Sequence, residues 1–279
     1  MMSKSENKQL QRALRETVAP NITVDGVLGD QTNKALAKYC LVHGVSDHKA
    51  KEMLKQYAEM RYVNDEAFRQ AAVILNVPES YVRAIAEVES AGESFLKDGR
   101  VKILFERHWF YRKLKEALVS KEVHNHVANR LKMPVATPGD LLLAAFVNGY
   151  PNICNPERGG YKGGEAEHDR LNFAMEFDIE AACQAASYGG YQIMGFNHKF
   201  CGYSSAKEMM LALAASESKQ LLALVAFIKA NPHIHNALKR GDWAKVAEGY
   251  NGKAYKENQY DTKLAVAEKK WLKWANEAA

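Results

Sequence analysis

Pro78-Glu79-Ser80-Tyr81-Val82-Arg83-Ala84-Ile85-Ala86-Glu87-Val88-Glu89-Ser90-Ala91-Gly92 reads as one helix with its own start and stop. Proline suits the first helical turn because its missing N–H would be unsatisfied there in any case, and Ala91-Gly92 marks the far end. Counting from Val82, residues Ile85, Ala86 and Glu89 follow at three, four and seven positions, so Glu89 continues the apolar stripe. Glu87 falls four residues after Arg83, where an exposed ion pair accounts for it.

A carboxylate on the buried face calls for a reason. Desolvation and the negative end of the helix dipole both disfavour its ionised form, which predicts a raised pKa for Glu89. A carboxylic acid still protonated near neutral pH is what a general acid needs in order to protonate a glycosidic oxygen. The alternative is a structural Glu bonded to a backbone amide or an Arg.

After a turn at Lys97-Asp98-Gly99, the stretch Arg100-Val101-Lys102-Ile103-Leu104-Phe105-Glu106 alternates and is β-prone. It ends on a second carboxylate, just before His108-Trp109-Phe110. A short strand returning beside the helix would set Glu106 across a cleft from Glu89, the two-carboxylate arrangement of glycoside hydrolysis. The competing reading pairs Glu106 with Arg107 or Arg112.

Working outward, helices are expected at about 65–75, 78–90 and 107–119, with a capped start at Asn64-Asp65-Glu66. A Pro/Gly/Asn-rich excursion is expected over 134–168, followed by mainly helical segments. Residues 7–57 read as a compact helical unit, with Leu10, Leu14 and Val18 on one face and a third helix from Asp47 to about Glu59. In its first turn, Val24-Asp25-Gly26-Val27-Leu28-Gly29-Asp30-Gln31-Thr32, Gly26 and Gly29 permit positive φ and Asp30 is placed to cap the next helix. The expected architecture is mainly α: a three-helix bundle over 1–62, then an α-rich α+β domain over 63–279 with one short sheet.

The 279 residues are 47% hydrophobic and 25% charged, which excludes a disordered or membrane-embedded chain. The net charge of +5 is scattered, so nucleic acid is not expected as a partner. Four cysteines without CxxC spacing, Cys40, Cys154, Cys183 and Cys201, suit free thiols better than a disulfide framework. The polar first ten residues carry no apolar signal core, and no stretch reaches membrane-spanning length. A monomer made in the cytosol, without stable membrane insertion, is the expectation.

Three segments in one order resemble the lysozyme-like superfamily that includes goose-type lysozymes and lytic transglycosylases. They are Glu89-Ser90, then Ser187-Tyr188-Gly189-Gly190-Tyr191-Gln192-Ile193-Met194-Gly195, then Tyr250-Asn251-Gly252. Over about 65–270 the chain is more closely similar to the N-acetylmuramidase family of phage endolysins, through Ala84–Leu96, Lys102–His108, Ala186–His198 and Gly241–Tyr260. That resemblance implies hydrolysis of the β-1,4 bond between N-acetylmuramic acid and N-acetylglucosamine in peptidoglycan, with Glu89 as acid and Glu106 as second carboxylate. It implies no cofactor, and release from the host cytoplasm to the wall by a separate membrane-permeabilising protein. Lytic transglycosylases characteristically lack a second catalytic carboxylate, so Glu106 favours hydrolysis over that rival; a non-catalytic wall-binding or tail-associated protein is the alternative from another class.

Around the two carboxylates, Ser90, His108, Tyr188, Gln192, Tyr250 and Asn251 are the candidate substrate contacts. Gln192 offers an amide donor and acceptor to an N-acetyl group, Tyr188 and Tyr191 offer apolar platforms, and the glycines between them let the backbone approach a sugar. Tyr250 and Asn251 supply a hydroxyl and an amide to brace Glu89 or hold substrate. The first sixty residues resemble the three-helix peptidoglycan-binding module, through Leu10-Gln11, Val24 to Gly29, Thr32 and Ala35-Leu36, which nominates Asp25, Gly26, Gly29 and Thr32 for wall binding.

Glu122, His124 and His126, and likewise His233 and His235, are poor metal sites because residues two apart on a helix face different ways. Gly159-Gly160-Tyr161-Lys162-Gly163-Gly164 lacks the setting of a phosphate loop and reads as a flexible lip over the cleft.

Overall fold

The computed structural model describes residues 3–90 and 94–278, without the side chains of Ser90, Asn251, Lys253, Ala254 and Ala278. The stop expected at Ala91-Gly92, and the side-chain roles expected of Ser90 and Asn251, lie outside the described residues.

Three helices open the chain: α1 (Lys4–Thr17), α2 (Asp30–His43) and α3 (Asp47–Arg61). Ser3 and Glu6 form a reciprocal capping box on α1, which satisfies amides that the first helical turn would otherwise leave without acceptors. Leu10, Leu14, Leu36, Tyr39 and Leu54 meet in the middle of the bundle, each aliphatic side chain contributing about 1.5–3 kcal/mol by burial.

The turn between α1 and α2 is organised around buried Gln11. Its amide nitrogen donates to Asp25 Oδ1 (2.9 Å), the Val27 carbonyl (2.9 Å) and Thr32 Oγ1 (3.1 Å), and its oxygen accepts from the Gly26 amide (2.7 Å). Gly26 has φ +85°, as expected, and an added Cβ there would collide with Lys4. Gly29 departs from expectation: with φ −96° it is itself the N-cap of α2, and Asp30 is the first helical residue.

Next come α4 (Asp65–Leu75), α5 (Glu79–Ser90), β1 (Ile103–Phe105), α6 (Arg107–Ala117) and α7 (Lys121–Arg130). The Asn64 side chain caps α4 by accepting from the Ala67 amide at 2.9 Å. The excursion over 134–168 contains a helix, α8 (Gly139–Gly149), whose Leu142, Leu143 and Phe146 are buried. Burial of that apolar run outweighs the Pro and Gly on its flanks. The chain continues with α9 (Ala166–Met175), α10 (Ile179–Gln184), β2 (Ala186–Tyr188), β3 (Ile193–Met194), α11 (Ala206–Ala215), α12 (Glu217–Ala230), α13 (Pro232–Lys239), α14 (Trp243–Asn251) and α15 (Tyr260–Ala278).

The three strands form one antiparallel sheet in the order β1-β2-β3, with Leu104 opposite Ser187 and Tyr188 opposite Ile193. The fold is therefore mainly helical with a three-helix opening and a single short sheet.

Packing joins the opening helices to the rest. Arg61, at the end of α3, donates to Glu16 Oε2 (2.6 Å), to the Ala214 carbonyl (2.9 Å) and to the Gly99 carbonyl. Arg12 pairs with Glu217 on α12, which also accepts from the Val63 amide at 3.1 Å. Helix α15 lies along α5. Lys270 and the Trp271 indole both bind Glu87 (2.8 Å each), so Glu87 does not pair with Arg83. Arg83 is buried, bonded to Glu79 (2.7 Å) and Asp65 (2.6 Å), with Trp274 and Phe68 against its guanidinium.

Candidate active site

Glu89 is half-buried near the C-terminal end of α5, where its stripe neighbours Val82, Ile85 and Ala86 are in the core. Two phenols share its surroundings. Burial first, and the Glu89 charge second, push both Tyr250 and Tyr260 above the ordinary phenol range, so both remain neutral donors. Tyr250 donates its hydroxyl to the Tyr191 carbonyl at 2.7 Å and meets Phe227 edge-on. The third sequence motif is thereby bonded to the second, beside the carboxylate that closes the first.

Glu106 follows β1 and occupies the N-cap position of α6. Its amide donates to the Ala185 carbonyl (2.9 Å), extending the β1–β2 pairing by one residue. Its side chain is 16% exposed, and Oε2 accepts a 2.7 Å hydrogen bond from the Tyr161 hydroxyl. His108 Nδ1 lies 3.1 Å from the same oxygen. Burial lowers the His108 pKa against the opposing pull of Glu106, which favours a neutral ring. Neither Arg107 nor Arg112 pairs with Glu106: Arg107 donates to the carbonyls of Pro151, Glu157 and Arg158, and Arg112 stacks on Trp109.

The β2–β3 hairpin touches both carboxylate-bearing segments, Glu106 through the Ala185 carbonyl and the Glu89–Tyr250 cluster through the Tyr191 carbonyl. Its own side chains are engaged internally. Gln192, at φ +50°, accepts from Ser187 Oγ (2.8 Å) and donates to the Gly189 carbonyl (2.8 Å). Tyr188 is 1% exposed with its hydroxyl on the Cys183 carbonyl (2.8 Å), and Tyr191 is buried as well. The hairpin glycines answer to packing, since a Cβ on Gly189 would meet Gln220 at 2.2 Å and one on Gly195 would meet the Cys183 carbonyl at 1.9 Å. In this conformation Gln192, Tyr188 and Tyr191 build the hairpin; Trp109, three residues after Glu106, packs on Phe196 with ring centroids 4.5 Å apart.

Several contributors carried no local sequence signal. Tyr161, within the glycine-rich lip, reaches Glu106. Glu167 and Arg170, three residues apart on α9, are both buried and hold the backbone on either side of the site. An i,i+3 acid–base pair ordinarily reads as a solvated helix face.

Asp25, Gly26 and Thr32 are the turn-builders around Gln11 described above, far along the chain from either carboxylate. Among the described residues no cluster of three His, Cys, Asp or Glu side chains could hold a metal. His124 and His126 instead contact the Val135 and Glu176 carbonyls, and His235 the Leu75 carbonyl. All four cysteines are free thiols, and Cys154 is pushed up to about 12 by burial. No helix among the described residues is long and apolar enough to cross a membrane.

The chain is mainly helical, with Glu89 near a helix end and Glu106 just after a short strand. The N-acetylmuramidase family model matches residues 78–272, and the chain belongs to that family. It is a glycoside hydrolase of the muramidase type, acting on peptidoglycan. The crystal structure of the Burkholderia AP3 phage endolysin is similar to it at 36% identity over 96% of each chain, with a TM-score of 0.65. None of the curated proteins matches.

Proposed function

We propose that this chain is an endolysin that hydrolyses the β-1,4 bond between N-acetylmuramic acid and N-acetylglucosamine. Glu89 protonates the departing glycosidic oxygen, and Glu106 is the second carboxylate, activating water or stabilising the oxocarbenium-like transition state. The observation that carries this reading is the shared hairpin, which bonds the Glu106 backbone at one end and the Tyr250 hydroxyl beside Glu89 at the other. Tyr250 and Tyr260, held neutral, suit a site where Glu89 cycles between acid and carboxylate.

The N-terminal helices deliver the enzyme to the wall, and the chain acts as a monomer on peptidoglycan without nucleic acid. It stays in the host cytoplasm until a separate protein opens the membrane.

Mass spectrometry of digested peptidoglycan tests the reaction. Hydrolysis yields reducing N-acetylmuramic acid ends with one water added per bond. A 1,6-anhydro end would make the enzyme a lytic transglycosylase, and reducing N-acetylglucosamine ends would place cleavage at the other glycosidic bond.

A further inference from the structure

Glu167 is fully buried, yet both of its oxygens are engaged. Oε2 accepts from the Phe105 amide (3.0 Å) and from Arg170 Nη1 (2.6 Å); Oε1 accepts from the amides of Lys162 (2.6 Å) and Gly163 (2.9 Å). Arg170 completes the junction by donating to the Phe105 carbonyl (2.8 Å) and the Asn152 carbonyl (2.6 Å). Burying two charges is costly unless their hydrogen-bonding capacity is met; here the Phe105 and Asn152 carbonyls serve Arg170, and backbone from two separate segments, β1 and residues 162–163, serves Glu167.

Those segments converge on one carboxylate. Phe105 immediately precedes Glu106, and Lys162 immediately follows Tyr161, whose hydroxyl lies 2.7 Å from Glu106 Oε2. Tyr161 is 45% exposed, so apolar burial does little to hold it, and glycines with positive φ flank it on both sides. Left to itself this loop would sample many conformations. The Glu167 clamp fixes it relative to β1.

We propose that Tyr161 is a positioning residue for Glu106, held over that carboxylate by the buried Glu167–Arg170 pair. The phenol orients Glu106 Oε2, while among the described residues no hydrogen bond reaches Oε1, which is left to face water or substrate. This inference rests on Glu106 being the second carboxylate.

Tyr161→Phe in the full chain removes one hydroxyl from an exposed ring and leaves the clamp intact. Loss of one hydrogen bond to a carboxylate predicts kcat on peptidoglycan strands lower by about tenfold and KM changed less than about twofold. Steady-state kinetics read the split between kcat and KM, and the thermal midpoint should match the wild type. An unchanged kcat, or a loss confined to KM, overturns the role of Tyr161 while leaving Glu106 in place. Near-normal turnover in Glu106→Gln overturns the reading beneath it, and the inference with it.

Discussion

The Tyr250 hydroxyl and the Tyr191 carbonyl, 59 positions apart in the chain, are joined by a 2.7 Å hydrogen bond that fixes α14 against the β2–β3 hairpin beside Glu89. Tyr191 is buried and cannot exchange this partner for water without local opening.

Tyr250→Phe keeps the edge-on contact with Phe227 and deletes only the donor. Leaving a buried carbonyl without its partner costs about 1–3 kcal/mol. We expect the urea midpoint to fall accordingly and turnover to fall with it, because the hairpin is the element that relates the two carboxylates. A variant with wild-type stability and wild-type turnover would show that the bond positions nothing.

Glu89→Gln preserves shape and removes the transferable proton. General acid catalysis contributes on the order of 100- to 10,000-fold, so wall lysis should fall by at least that factor while sedimentation with purified walls and the thermal midpoint stay put. Ordinary lysis by this variant would transfer the acid role to another group. Loss of wall binding together with lysis would mean that Glu89 serves affinity instead of bond cleavage.

Much of this arrangement was legible because it is local. Asn64 as a cap, the start of α5 after Pro78, and a β-prone run ending on Glu106 follow from neighbours within a few residues. What escaped depends on partners distant in the chain. Glu87 is claimed by Lys270 and Trp271 on α15, whereas Arg83 turns inward to Asp65, and spacing alone favoured the nearer pair. Gln192 differs in having near partners: at φ +50° its amide bonds Ser187 and Gly189 inside its own hairpin. Nothing in the helix that carries Glu167 reveals that β1 and the 162–163 backbone close over its carboxylate. The glycines of the lip suggested mobility, and only the amides that Glu167 captures show the lip to be tied down.

Acid should unfold the protein in two stages. His108 and His168 have pKa values lowered chiefly by burial, from an ordinary 6.5, so the unfolded chain binds protons that the folded chain refuses. Their stabilising contribution is complete above 6.5 and is lost as pH falls below it. For Glu167 burial alone would raise the pKa, but the Lys162, Gly163 and Phe105 amides and Arg170 outweigh it and hold it below 4.5; its contribution is complete above that value and lost as pH falls further. Thermal midpoints from pH 8 to 3 should therefore decline below about 6.5 and more steeply below about 4.5. Glu167→Gln should flatten the lower stage only; an unchanged lower stage would assign it to other carboxylates.

The contact between Arg12 and Glu217 bears on how the N-terminal helices are carried. Glu217 is 7% exposed and accepts from both Arg12 and the Val63 amide, so one carboxylate binds α1 and the α3–α4 connection to α12. Burial works against the Arg12 charge, but Glu217 more than compensates and raises its pKa, so Arg12 stays a cation. In Glu217→Gln the amide oxygen can keep the Val63 bond, but the guanidinium loses its counter-charge. Arg12 is 22% exposed, so water screens part of the loss, and about 2 kcal/mol is the expected cost. Because that cost falls where the opening helices meet α12, the first sixty residues should loosen before the remainder unfolds. Limited proteolysis should then cut near Tyr62–Asn64 at temperatures where the wild type resists, and calorimetry should show a low-temperature shoulder. A single transition displaced as a whole would mean that the opening helices and the rest unfold as one cooperative unit even without this ion pair.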